Sequence, residues 1–364
     1  MKALILSFVP VMVLYLCCQA PCHAHTGEAA YAVPLSSITI DGKLDDWPEE
    51  LFTYPIGWVS PVYHKSTPPV GPEDFMASFS VGYDLIENVL YVAVVVNDDD
   101  LVTHPDHPNI RNQDVCGIYV DADHSGGDSK NQGRQLYIMV PGPGKWSKNR
   151  DGNPCLNMGD TKTSGMRGTF LHSGNTIVYE WEIPLFDSFP DKRHQIQAGN
   201  TIGFDFILAD ADGQENANYM FWTPGSGKNR SSDLFGHLVF LKSYEELGTV
   251  SGSVTATKEK LPGAGLIIEA YQEDHLISTI KTDALDRYQV KLAPGDYTLK
   301  MRRGQGINSA EELTITVSAG QKIQADLALT PVDLPETFLR SMALYKSLKG
   351  YRDTITIHGR VVKP

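Results

Sequence analysis

The sequence predicts an all-β protein built mainly from two β-sandwiches, and three observations support this prediction. Strand-like runs of β-branched and aromatic residues recur between residues 35 and 331, and clusters of Gly, Pro, Asn and Asp separate them. Long helical periodicity is absent from the larger, first part of this region. The chain has 364 residues, which is enough for two or three domains that each bury a core.

The first 24 residues are typical of a secretory signal peptide. Lys2 precedes a short apolar run over residues 3–16, and residues 22–24 include the small residues of a cleavage site. We therefore expect cleavage after Ala24 and a mature chain that is secreted, periplasmic or held at the cell surface. The apolar run is shorter than the roughly 20 residues of a membrane helix, and no later stretch approaches that length, so no transmembrane segment is predicted.

The charge balance limits the classes of partner. The formal net charge is −13. Nucleic acids select basic surfaces, so this balance argues against a nucleic-acid partner. The same excess of carboxylates favours the binding of a cation.

Residues 35–243 are predicted to form the first sandwich. Five apolar runs in this region have the length and composition of strands. They cover residues 89–96, 135–140, 176–183, 201–208 and 237–241. Strands at this spacing with turn-rich connections are typical of a β-sandwich.

A second, smaller sandwich is predicted for residues 248–331, where short alternating strands are joined by tight turns. The tail, residues 332–364, has a different pattern. Apolar residues at near-helical spacing predict a helix over residues 334–348, and a strand over 354–358 follows. A helix and one strand cannot bury a core, so the tail either docks on a neighbour or is part of a truncated further domain.

The stretch YVDADHSGGDS follows an apolar strand-like run and has features of a calcium-binding turn. It places Asp121, Asp123 and Ser125 at alternate positions before a glycine, as in the first half of an EF-hand loop. The match ends at the twelfth position, where Gln132 cannot supply a bidentate carboxylate.

A looser calcium site remains open at this stretch, and its ligand set can be completed in two ways. Asp128 can contribute, or the aspartates at 98–100 and 210–212 can. The predicted cofactor is therefore a structural calcium ion. The alternative is a plain polar turn, since Asp and Gly favour turns of any kind.

Cys116 and Cys155 are the two cysteines that follow the predicted signal peptide. In an oxidising compartment two such cysteines can form a disulfide. The alternative is that Cys116 is a small core residue of its strand. Sequence fixes neither the distance nor the direction of the two side chains, so both interpretations stay open.

Six motifs follow one another in the first region: ITIDGKLDDW, LYVAV with the aspartates after it, QDV leading to Asp121, EWEIPL, GFDF and GHL. In this order they resemble the family 9 carbohydrate-binding modules and related DOMON-type domains. The resemblance implies a jelly-roll or immunoglobulin-like sandwich that binds sugars and is commonly attached to secreted glycoside hydrolases. Some relatives in that superfamily bind haem instead.

Three motifs in the second region, GSV at 252–254, LPGA at 261–264 and PGDY at 294–297, carry another resemblance. They are similar to the carboxypeptidase regulatory-like domains of transthyretin type. This resemblance implies a small sandwich that acts as a spacer or binding platform without chemistry of its own.

The tryptophans are the candidate sugar contacts. Sugars present apolar faces edged by hydroxyls, so a site needs exposed aromatic rings beside polar groups. Trp146 and Trp222 lie among Gly and Pro residues, where loops tend to carry function, and we predict them as the stacking pair. Asn149 and Arg150 are predicted to contact hydroxyls, and Trp58 is a third aromatic candidate.

Burial offers a competing interpretation for each tryptophan, because these side chains often plug the ends of a sandwich. Trp47 closes the first motif, and Trp181 alternates with apolar residues on one strand face. Both are therefore predicted to be core residues.

A catalytic interpretation is weaker than a binding one. Glu180 and Glu182 lie two apart on one predicted strand, so their side chains share a face at about 7 Å, within the broad range of glycosidase carboxylate pairs. A solvated strand face gives the same pattern more often. We therefore predict a non-catalytic protein that binds carbohydrate, either in polysaccharide recognition or as an accessory to glycoside hydrolases.

Two alternatives remain for the function. One is a haem-binding electron carrier of the same sandwich type, which needs a ligand pair such as Met139 with His172. The other is a structural cell-surface protein, which would bind no glycan.

Overall fold

The computed structural model describes residues 25–26, 28–48, 51–60, 74–103, 112–128, 134–141, 155–157, 164–212, 217–256, 266–273, 275–282, 285–302, 307–310 and 312–331. The predicted signal peptide at 1–24 and the predicted helix and strand of the tail at 332–364 lie outside these residues. Within the described part of the chain, no helix is long and apolar enough to cross a membrane.

The described residues are almost entirely β-structure, which confirms the predicted fold class. The first region contains β1 (Ala29–Pro34), β2 (Tyr54–Ile56), β3 (Trp58–Val59), β4 (Phe75–Asp84), β5 (Val89–Asp98), β6 (Val115–Asp121), β7 (Arg134–Met139), β8 (Cys155–Asn157), β9 (Arg167–Ser173), β10 (Thr176–Pro184), β11 (Phe186–Ser188), β12 (Lys192–Arg193), β13 (Thr201–Asp210), β14 (Asn218–Phe221) and β15 (Gly236–Phe240). The second contains β16 (Gly248–Ala256), β17 (Ile267–Gln272), β18 (His275–Lys281), β19 (Arg287–Leu292), β20 (Gly295–Met301), β21 (Ile307–Ala310), β22 (Leu313–Val317), β23 (Lys322–Gln324) and β24 (Leu327–Pro331). The described residues also include the short 3₁₀ turns Ser232–Leu234 and Tyr244–Glu246.

The first region folds into two layers that β1 connects. The strand order is β8-β7-β6-β13-β15-β1-β4-β5-β10-β9, with β14 on β13, β3 on β14 and β2 on β4. The first four residues of β1 pair in parallel with β15 and its last two residues pair in parallel with β4, so the chain passes from one layer to the other within one strand. Phe79 of β4 lies 4.5 Å from Phe206 of β13 between ring centroids, which places the core between the layers.

The second region forms two further sheets with a separate core. One has the order β19-β16-β24-β21 with β23 on β16, and the other has the order β18-β17-β20-β22. At Gly252 of β16 a Cβ atom would overlap the carbonyl oxygen of Ala325, so only glycine lets these backbones approach. Two packed sheets are consistent with the predicted smaller sandwich, while the transthyretin-type assignment stays a prediction.

Strand register defines two opposite ends of the first sandwich. Strands β6 and β13 are antiparallel, with Val115 opposite Ala209 at one end and Asp121 opposite Gly203 at the other. The end with Ala209 also holds the last residue of β5, and we call it the acidic end. We call the opposite end, near the start of β15, the histidine end.

Candidate functional site

Trp222, which we predicted as a stacking residue, lies in the core instead. Its side chain is 8% exposed, and its ring lies 5.3 Å from Phe79 and 6.4 Å from Phe204 between centroids. The Trp222 amide donates a hydrogen bond to Asp205, which ties the residues after β14 to β13. The Gly- and Pro-rich surroundings indicated a loop, but this loop folds back over the core, so the ring is not available to a sugar.

Trp58 keeps part of its surface accessible. It lies on the short strand β3, pairs with Phe221 of β14 and packs against that ring at 5.9 Å between centroids. Trp47 and Trp181 are buried, as predicted. Among the tryptophans that the structure describes, Trp58 is therefore the one that keeps accessible surface, and its contact with a sugar stays a prediction.

The other predicted sugar contacts, Trp146, Asn149 and Arg150, lie outside the described residues. The last described residues before them follow β7, which ends at Met139 opposite Cys116 of β6. Strand β7 therefore leads to the acidic end of the sandwich.

Glu180 has a structural role that explains the ITIDGKLDDW motif. Its carboxylate is fully buried and accepts hydrogen bonds from the amides of Asp41 and Gly42 and, at 2.8 Å, from the indole nitrogen of Trp47. Burial raises the pKa of Glu180, and these donors oppose that shift. Glu182 instead pairs with Arg167 at 3.1 Å. The solvated face we expected for these two glutamates is therefore wrong at Glu180, and both carboxylates are engaged in structure.

The acidic end brings together three buried carboxylates from three strands. Asp98 is the last residue of β5, Asp114 precedes β6, and Asp210 is the last residue of β13; they are 4%, 2% and 1% exposed. One carboxylate oxygen from each lies within 4.8 Å of the others. Strand ends that are distant in sequence meet here because β6 pairs with β13 and β5 lies in the facing layer.

Hydrogen bonds leave oxygens of this cluster without a donor. Asp114 accepts from the amides of Val102 and Ala211, so its two oxygens hold neighbouring loops in place. Asp98 Oδ2 and both oxygens of Asp210 are buried and have no hydrogen-bond partner among the described residues. A buried polar atom without a partner is costly, so these oxygens are suited to accept a cation or a hydrogen-bond donor.

Electrostatics lead to the same conclusion. Burial, with added repulsion from neighbouring carboxylates, raises the pKa of Asp98 to about 6, of Asp114 to about 9 and of Asp210 to about 8. Carboxylate oxygens that lie close enough to repel one another are suitable ligands for a hard divalent cation such as calcium. The residues present therefore fit the predicted class of cofactor.

A second carboxylate triad lies beside the first. Asp74, Asp99 and Asp212 are more accessible, and their oxygens also lie within 4.8 Å of one another. Asp99 follows β5 directly and Asp212 lies two residues after β13, so this triad continues the buried one toward solvent.

The turn with the predicted calcium ligands is shaped by its own hydrogen bonds. Asp123 is exposed and accepts from the amide and hydroxyl of Ser125, at 3.2 and 2.8 Å, while Asp121 accepts from the amide of Gly126. Asp128 is exposed as well. The carboxylate triads in the described residues do not include these aspartates. The ligand set at the turn therefore stays a prediction, and the aspartates of the acidic end, left open as partners, form the carboxylate triads of the described residues.

Cys116 does not form the predicted disulfide with Cys155. Cys116 is buried and its thiol is free, and burial raises its pKa. Met139 of β7 is the register partner of both cysteines, so a whole strand separates them. Two strand spacings amount to about 9.5 Å, which exceeds the roughly 7 Å limit between Cα atoms for a disulfide.

The ligand pair required by the haem alternative is also separated. Met139 is fully buried and its methyl group lies against Gly168 of β9, while His172 is exposed and hydrogen-bonds to the carbonyl of Gly174. Four residues along a strand span about 13 Å. Met139 and His172 therefore do not flank one iron atom.

Sequence reasoning missed part of the acidic end. Asp114 was noted only as part of the QDV motif, and Asp74 was not singled out. The signal that was available is an aspartate at the end of several predicted strands, but only strand pairing shows that these ends meet.

Comparisons with known proteins place the first sandwich in a family. A family model described as "Carbohydrate family 9 binding domain-like" matches residues 40–243. Among solved structures, a family 9 carbohydrate-binding module from Caldicellulosiruptor kristjanssonii in complex with cellotriose is 19% identical, with 59% of this chain and 95% of that chain covered and a TM-score of 0.46. A putative carbohydrate-binding protein from Bacteroides uniformis is 12% identical, with coverages of 59% and 99% and a TM-score of 0.38.

None of the curated proteins that were searched matches the chain. The family model covers more than half of the 364 residues and spans the sandwich from the ITIDGKLDDW motif to the end of β15. The chain therefore belongs to the carbohydrate family 9 binding domain-like family.

Proposed function

We propose that residues 40–243 form a non-catalytic carbohydrate-binding module of an exported protein, which serves as an accessory to glycoside hydrolases in carbohydrate breakdown. The match of the family model to residues 40–243, which hold β2 to β15, is the observation that carries the proposal. The half-buried ring of Trp58 supports it, since an aromatic face is what a sugar ring stacks on. Glu180 and Glu182 support a binding role over a catalytic one, because structural contacts engage both carboxylates.

A glycan array followed by calorimetry on the chain from residue 25 to residue 364 tests this function. We expect binding to at least one poly- or oligosaccharide. Trp58→Ala should weaken that binding by about tenfold, since an aromatic contact contributes about 0.5–1.5 kcal/mol beyond its buried area. The control is Phe170→Ala, which truncates another half-buried ring, on β9 in the other layer.

The two possible failures have different meanings. If no glycan binds the intact chain, the carbohydrate proposal is wrong and the structural alternative gains support. If Trp58→Ala and Phe170→Ala both bind like the unmodified chain, sugar binding stands but the stacking residue is elsewhere.

We also propose that a structural calcium ion binds at the acidic end, with Asp98, Asp114 and Asp210 as ligands. The support is the set of buried oxygens without a hydrogen-bond donor. The ion would join the ends of strands from both layers, and its positive charge would offset the repulsion among the three carboxylates. This is a role in stability, and it requires no contact between the ion and a sugar.

A further inference from the structure

The histidine end of the sandwich contains three imidazole rings in mutual contact. The ring of His25 stacks on that of His124, with centroids 4.2 Å apart and 19° between the planes. It also meets the ring of His237 edge-on at 5.3 Å. Nε2 of His124 lies 3.0 Å from Nδ1 of His237. The family assignment and the sugar-binding proposal use none of these residues.

Separate parts of the chain hold the three rings together. The amide after His25, that of Thr26, donates to the carbonyl of Phe235 at 2.8 Å, and His237 follows on β15. His124 lies in the turn after β6 with a φ of 53°, a conformation that non-glycine residues seldom adopt. Gly203 makes room for the cluster, because a Cβ atom there would lie 2.7 Å from Cε1 of His25.

His25 is the residue that a purely structural role does not explain. Its side chain is fully buried, and neither ring nitrogen has a hydrogen-bond partner among the described residues. A neutral imidazole with a free lone pair is the form that binds metal ions.

We propose that His25, His124 and His237 bind one divalent transition-metal ion, with copper(II) preferred over zinc. Imidazole suits both ions, and copper(II) binds a given set of nitrogen ligands more tightly than other divalent first-row metals. Two metal–nitrogen bonds of about 2.05 Å place the nitrogens about 2.9–3.4 Å apart for angles between square and tetrahedral. In the structure Nε2 of His124 and Nδ1 of His237 share a hydrogen bond of 3.0 Å, and this spacing equals that of two neighbouring ligands of one ion, which would replace the shared proton.

Two features complete this site. The stacked ring of His25 is not yet oriented as a ligand, so it must rotate out of the stack for its nitrogen to reach the ion. The carboxylate of Asp121 is buried and lies 3.9 Å from Nε2 of His25, with Oδ1 free of hydrogen bonds. This distance is too long for a hydrogen bond, so the same rotation would have to bring Nε2 of His25 to Asp121, where a carboxylate orients a metal-binding imidazole and makes it a stronger base.

The proposed cleavage after Ala24 adds a further nitrogen to the site. It would make His25 the first residue of the exported chain, with a free α-amino group next to its imidazole. An amine and an imidazole of one residue can bind the same ion as a chelate. The form to test is therefore a chain that starts at His25.

The test is a copper(II) titration of this chain, after removal of metal, against a competing chromogenic chelator. We expect one copper ion per chain and an electron paramagnetic resonance spectrum with couplings to several nitrogens. His124→Ala and His237→Ala should each weaken binding by more than about 100-fold, since even outer-shell partners of a ligand contribute about 10–100-fold. His172→Ala, which removes an exposed histidine of β9, should leave both readouts unchanged.

Controls separate this site from the acidic end and from loss of folding. Millimolar calcium should not displace the copper. His124→Gln and His237→Gln keep side chains of similar size and should also lose tight binding, while their melting curves without metal should stay close to that of the unmodified chain. Equal copper affinity in the unmodified chain and the histidine variants overturns the proposal, as does copper that calcium displaces. Neither result bears on glycan binding.

Discussion

Calcium binding at the acidic end should be coupled to pH, and the size of the coupling follows from the three carboxylates. Without the ion, the pKa values of about 6, 9 and 8 for Asp98, Asp114 and Asp210 leave the latter two mainly protonated at pH 7. Calcium requires ionised ligands, so its binding at pH 7 should release about two protons. The association constant should therefore rise about 100-fold per pH unit near neutrality.

Stability without the ion should show the opposite dependence on pH. The folded-state pKa values lie above the ordinary value of 3.8, so the native state holds protons that the unfolded state has released. The stability from these groups is fully present below about pH 4 and is lost as pH rises toward about 9. In chelator, the contribution of the cluster should therefore make the chain more stable at pH 6 than at pH 8.

From pH 7 to pH 6 the calcium affinity should fall about 100-fold, and each tenfold change in affinity is worth about 1.4 kcal/mol. In saturating calcium the contribution of the ion to the free energy of unfolding should therefore fall by about 2.7 kcal/mol. For domains of this size that corresponds to a difference on the order of 5–10 °C in melting temperature. The assay is thermal unfolding of residues 25–364 at pH 6, 7 and 8 in chelator and in millimolar calcium. Calorimetry in buffers of different ionisation enthalpy then counts the released protons.

Variants identify the site. Asp210→Asn should abolish the rise in melting temperature that calcium causes. In chelator at pH 8 its melting temperature should equal or exceed that of the unmodified chain, because the amide carries no charge to bury. Asp123→Asn is the control in the exposed turn and should leave the calcium effect intact. Equal melting temperatures with and without calcium would refute the reasoning, and so would a calcium effect that Asp123→Asn removes and Asp210→Asn retains.

Two further predictions concern the core. Trp222→Ala should lower the free energy of unfolding by about 3–5 kcal/mol in denaturant titration, because it empties a site among packed rings; a loss below about 1 kcal/mol would contradict the burial of this ring. The ammonium of Lys228 lies 2.7 Å from the carboxylate of Asp205, and both side chains are fully buried. Substitution of Lys228 should therefore lower the free energy of unfolding by a similar amount. Lys228→Met leaves the Asp205 carboxylate unpaired and should cost about 3–5 kcal/mol, and Lys228→Met with Asp205→Leu should recover much of that loss.

Strands were predictable where local composition determines them. Residues 176–183 and 201–208 were predicted as strands and are observed as β10 and β13, because their β-branched and aromatic residues fit a pleated layer buried on both faces. Trp47 was predicted as a core residue. Its hydrogen bond to Glu180 was not predicted, because Glu180 lies 133 residues away in the sequence.

Contacts that depend on strand register could not be predicted. The three carboxylates of the acidic end come together through the pairing of β6 with β13 and the packing of β5 in the facing layer. The two interpretations of Cys116 stayed open for the same reason, because its distance from Cys155 depends on β7 lying between the two strands. The histidine cluster needed the same information: its members are separated by 99 and 113 residues, and no local spacing relates them.

The two proposed metal sites should act independently, although one strand connects them. Asp114 precedes β6 and Asp121 ends it, so seven residue steps of about 3.4 Å separate the sites by about 24 Å. No residue belongs to both sites, and at that distance the ions make no direct contact. The ligands also differ in kind, since carboxylate oxygens suit calcium and imidazoles suit copper. Calcium should therefore bind at the acidic end and copper at the histidine end. The increase in the free energy of unfolding with both ions bound should equal the sum of the two separate increases, as expected for sites without shared partners.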